Sequence, residues 1–120
     1  MITHLHFASI PVSDQDRALA FYVEKLGFRV ATDRPMGEGR RWIELRIGNS
    51  ETRVVLHAAP DVEERIGGFF NGSFACDNAE ATCRQLKQRG VEFASELKTE
   101  PWGTYMIIKD PDGNQLVVGS

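Results

Sequence analysis

The chain has no apolar run near the ~20 residues that a membrane-spanning helix needs, so no membrane partner is expected. It has no run of five Lys or Arg, and its net charge is −3. The basic footprint that nucleic acid demands is therefore missing. Only two cysteines are present, Cys76 and Cys83. Small secreted domains built on disulfides carry more, so both read as reduced, small core side chains. No basic, apolar leader precedes the strand-like pattern that starts at His4, and a cytoplasmic location is the expectation. A Ser/His/Asp order, a phosphate-cradling glycine loop and a Cys/His cluster are absent too.

What is there is an ordinary globular composition, 42% hydrophobic and 26% charged, in 120 residues. That length fits one domain with one core. Within it the chain repeats itself. Residues 14–28 read DQDRALAFYVEKLGF and residues 77–91 read DNAEATCRQLKQRGV. Asp14 and Gly27 bracket the first segment as Asp77 and Gly90 bracket the second, an N-cap and a helix stop in each. Ala18, Phe21, Tyr22 and Leu26 share one face of the first helix; Ala79, Cys83 and Leu86 do so in the second.

The flanks repeat as well. Strands are expected at 4–12 and 69–76 before the helices, and at 28–31 and 91–94 after them. Two more strands follow in each half, 41–47 with 53–58 and 104–109 with 115–119. Asp110-Pro111-Asp112-Gly113 makes the last turn: Pro presets φ, Asp bonds the local backbone and Gly accepts positive φ. The fold class is therefore α+β, two βαβββ modules (1–59 and 69–120) joined by a linker at 60–68, with a mobile loop at 33–40. Either module alone exposes the inner face of a curved sheet, and pairing them encloses a cavity where a ligand fits.

The motif Pro11-Val12-x-Asp14-x-x-Arg17-Ala18-x-x-Phe21-Tyr22-x-x-x-Leu26-Gly27-Phe28, then Pro101-Trp102-Gly103 and Asp110-Pro111-Asp112-Gly113-Asn114, resembles the vicinal oxygen chelate superfamily. That superfamily includes glyoxalase I, bleomycin- and fosfomycin-resistance proteins and extradiol dioxygenases. The resemblance implies a homodimer, with the pocket completed across its interface in many members. In the enzymes it implies a divalent metal acting as a Lewis acid. The glyoxalase-type ligand positions fall here on Phe7, Val55, Asn71 and Val117. Three of these offer no donor and Asn is a weak one, where hard cations want carboxylate and imidazole. The expectation is thus a metal-free protein without a cofactor that binds a small organic molecule for sequestration or resistance.

Strand alternation then assigns the pocket. With Phe7 inward, Ser9, Trp42, Glu44, Val55, His57, Asn71, Ser73 and Val117 face the same hollow, and Ile43, Leu45, Val54 and Leu56 face the helices. Phe7, Ser9, Trp42, Val55, His57, Asn71, Val117 and Trp102 are the expected ligand-binding residues. His57, as an imidazole, and Glu44, as a carboxylate, are the candidates for acid–base work. The alternative is a metal-dependent lyase, isomerase or dioxygenase with a displaced site of His6, His57 and Glu44. A strand slipped by one residue exchanges these faces.

Overall fold

The computed structural model describes residues 1–120. The first half runs β1 (Phe7–Pro11), α1 (Gln15–Ala20), a π-helical turn (Phe21–Lys25), β2 (Arg29–Pro35), β3 (Arg41–Arg46) and β4 (Arg53–His57). The second runs β5 (Ser73–Ala75), α2 (Ala79–Gln88), β6 (Glu92–Glu100), β7 (Gly103–Lys109) and β8 (Gln115–Gly119). Between them the chain makes a short 3-10 turn at Val62–Glu64, which buries Val62. The fold is α+β.

The strands form two separate four-stranded mixed sheets rather than one continuous curved sheet. Their orders are β1-β4-β3-β2 (sheet A) and β5-β8-β7-β6 (sheet B). In each sheet the first and last strands of the module pair in parallel, β1 with β4 and β5 with β8, at one edge; the chain returns between them through the helix and the other two strands. The repeat holds at the level of register: Ser9 sits opposite Val55 as Ser73 sits opposite Val117.

Asp14 caps α1 by accepting the Arg17 N–H, as expected, but α2 is capped by Asn78 rather than Asp77. Both Asp77 and Asn78 are cap formers, and the backbone enters the helix one residue later. The strand read at 69–76 is only Ser73–Ala75, because Phe70 leaves the strand line to pack on the core. β2 reaches Pro35, inside the stretch read as a mobile loop; it is an edge strand, where a missing N–H is tolerated.

One core serves both modules. Ile10, Ile43, Leu45 and Leu56 from sheet A, Met106, Ile108 and Leu116 from sheet B, and Ala18, Tyr22, Cys83 and Leu86 from the helices belong to a single cluster of 17 buried residues. Strand alternation therefore reads correctly: the helix-covered faces meet in the core, and the opposite faces are left free.

Candidate functional site

The free face of sheet A is built from alternate residues of β1, β3 and β4. Val55 forms its floor; it is 1% exposed yet lies outside the core cluster, because its cover comes from its own face. Phe7 and Trp42 meet edge to face at 5.4 Å between ring centroids. The Trp42 indole N–H donates to Glu44 Oε1 at 3.0 Å, and Arg53 Nη1 donates to Glu44 Oε2 at 2.8 Å. These bonds, Arg53 first and then Trp42, hold the Glu44 carboxyl below its ordinary range in spite of burial. Glu44 is thus an ionised, fully engaged anchor and a poor proton acceptor. Ser9 and His57 are half-buried on the same face, and no side-chain hydrogen bond engages the His57 ring.

The free face of sheet B carries smaller side chains. Ser73, Ala75, Tyr105, Val117 and Gly119 line a hollow of about 430 Å3, and Trp102, 78% exposed, stands at its rim. Gly119 is required there for space: a Cβ would lie 2.9 Å from the Thr104 carbonyl oxygen. Asn71 lies outside β5 and is exposed, so it does not join Val117 in the hollow. Tyr105 and Ile107 were not singled out in the sequence, although Ile107 pairs with Val117 in register. An alternation count started from Val117 finds them.

What sets the relation of the two sheets is a polar clasp. The turn between β7 and β8 reaches back to the first module. Buried Tyr22 donates its hydroxyl to Asp110 Oδ2 at 2.8 Å. Asn114 Nδ2 donates to the Pro11 carbonyl at 2.8 Å and to Asp110 Oδ2 at 2.9 Å, and Asn114 Oδ1 accepts the Gly67 N–H at 2.8 Å. Asp112 accepts from Ser13 and from Arg17. Burial first, and then the Asp110 charge, push the Tyr22 phenol far above its ordinary pKa.

The clasp and the shared core sit on the helix side. Within one chain the free faces are therefore not brought against each other, and none of the three main cavities takes residues from both. Phe7, Ser9, Trp42, Val55 and His57 form one group; Val117 and Trp102 form another.

The four family metal positions fail as a donor set: Phe7, Val55 and Val117 carry hydrocarbon side chains and Asn71 is outside the strand. The displaced set of His6, His57 and Glu44 is not assembled either, and no three His, Cys, Asp or Glu side chains converge anywhere. His6 immediately precedes β1, its carbonyl accepting the Arg53 N–H. His57 is four residues further along β4, roughly 13 Å at strand rise.

Residues 3–118 match the model of the Glyoxalase/Bleomycin resistance protein/Dioxygenase superfamily. YetH of Bacillus subtilis (strain 168) is 34% identical over 118 residues, 98% of either chain. TnmS3, an antibiotic binding protein from Streptomyces sp. CB03234, is 34% identical with a TM-score of 0.87, over 98% of this chain and 95% of that one. A superfamily member from Sphaerobacter thermophilus DSM 20745 is 31% identical with a TM-score of 0.88, over 98% and 97%. With this sequence match, this register and this pair of βαβββ sheets, the chain belongs to the glyoxalase/bleomycin resistance protein/dioxygenase superfamily.

Proposed function

We propose that the protein binds a small, partly aromatic organic molecule without metal, and so sequesters an antibiotic or similar toxic compound in the cytoplasm. The observation that carries this reading is the character of the free face of sheet A. Where the metalloenzymes of the family need acid and imidazole, it presents Phe7, Trp42 and a Val55 floor. Its one carboxylate is neutralised by Arg53. An aromatic, largely apolar wall with a few fixed polar groups is what an organic ligand needs. The antibiotic-binding neighbour at 34% identity supports the same reading.

The complete cleft needs a second copy. Sheet A of one chain supplies Phe7, Ser9, Trp42, Val55 and His57, and sheet B of a second copy supplies its own Val117 and Trp102. Each face alone leaves apolar surface in water, which a homodimer covers.

The test is titration of the EDTA-treated protein with bleomycin and a panel of other aromatic antibiotics. Trp42 fluorescence is followed in a Trp102→Phe background. Saturable binding is expected, weakened about tenfold or more by Phe7→Ala on the same signal, and by Trp42→Ala, which removes the fluorophore, when read by calorimetry. Tight stoichiometric uptake of Mn, Ni or Zn, with turnover that depends on it, would sink the proposal.

A further inference from the structure

We infer that the cleft between the modules, on the helix side, is a second binding site, for an amphipathic anion. This cavity, of about 690 Å3, opens between the end of the first helical segment, the β3–β4 turn and α2. Its volume lies in the range of organic ligand sites. Its floor is Leu26, Phe28, Ile47 and Phe74, side chains in or against the common core on the helix side, and it meets the hollow of sheet B only at Phe74 and Ala75. Phe28 and Phe74 come from different modules, with ring centroids 5.6 Å apart, so the apolar floor spans the seam.

The rim has a sign. Lys25, Arg84 and Arg89 line it against a single carboxylate, Asp77. Arg89 donates to the Lys25 carbonyl at 2.8 Å and straps α2 to the end of the first helical segment, which keeps the cations together at the mouth. An apolar floor beneath a positive rim favours an apolar body carrying one carboxylate, sulfonate or phosphate. A cationic amphiphile of the same length meets repulsion instead.

The two thiols make this testable. Cys76 is half-buried in the cleft wall, and Cys83 is 7% exposed in the core. Alkylation by neutral iodoacetamide, located by peptide mass spectrometry, reports occupancy through Cys76 and unfolding through Cys83. Dodecanoate, below micelle formation, is expected to slow Cys76 alkylation about tenfold at saturation, and dodecyltrimethylammonium to leave it unchanged. Arg84→Glu, on the exposed face of α2, should weaken dodecanoate by at least about fivefold. Ala81→Trp, which fills the cleft from the same helix, should abolish protection. Bleomycin binding at the sheet faces should survive both changes, which separates failure of this site from failure of the first. Equal protection by both amphiphiles, no protection by either, or protection indifferent to both substitutions overturns the inference.

Discussion

Tyr22 has a fully buried phenol whose hydroxyl ends on a buried carboxylate. Tyr22→Phe removes that bond, and should cost about 2 kcal/mol in urea unfolding with an unchanged slope. It should also change the alkaline limb. The unfolded chain releases the Tyr22 proton near its ordinary pKa of 10.0, while the folded chain keeps it well beyond. Stability is therefore full below that value and falls as pH rises above it, and Tyr22→Phe should flatten the fall. Glu44 has the opposite sign. Arg53 and Trp42 hold its carboxyl below the ordinary 4.5, so its contribution is present above that value and is lost as pH drops through the folded-state pKa. Glu44→Gln should flatten the acid limb between about pH 5 and pH 3, read by thermal melts across pH.

Two glycines test the elements by different physics. Gly27 ends the first helical segment at φ +78°, with nothing within 4 Å of a Cβ placed there. Gly27→Ala should cost about 1 kcal/mol from backbone strain alone. Gly119→Ala drives a methyl into the Thr104 carbonyl and Tyr105 Cβ, and should cost about 1–3 kcal/mol while pushing β8 off β7. Chemical denaturation of both variants checks the two values. At this scale the sequence is informative wherever a local rule applies. Period-two alternation places Ile43, Leu45, Val54 and Leu56 in the core and Val55 on the other face. Where two neighbours obey the same rule, as Asp77 and Asn78 do, the boundary slips by one. The π-helical turn at Phe21–Lys25 leaves no mark in a pattern that fits a continuous α-helix. Bonds such as Tyr22 to Asp110 and Asn114 to Pro11 join residues 88 and 103 apart, a distance over which periodicity carries no information. For the same reason the inward faces were legible in the sequence, and the fact that they do not meet within one chain was not.

At the scale of the molecule, a single core implies a single transition. Trp42 sits in sheet A and Trp102 beside sheet B, so Trp42→Phe and Trp102→Phe variants each report one half. Their fluorescence melts should coincide with each other and with circular dichroism. Separate midpoints would mean that the modules unfold independently. Light scattering should give twice the 13.4 kDa chain mass if the free faces cover one another. The clasp has a further consequence, in the order of synthesis. Pro11 and Tyr22 leave the ribosome long before Asp110 and Asn114 exist, so the carbonyl and the phenol that they satisfy stay wet until the final hairpin emerges. A nascent chain halted before that hairpin holds an N-terminal half whose helix is tied to its sheet through Gln15 but whose Tyr22 phenol and Pro11 carbonyl lack these partners. The final strand pair thus acts as the latch that commits the whole chain to its native state.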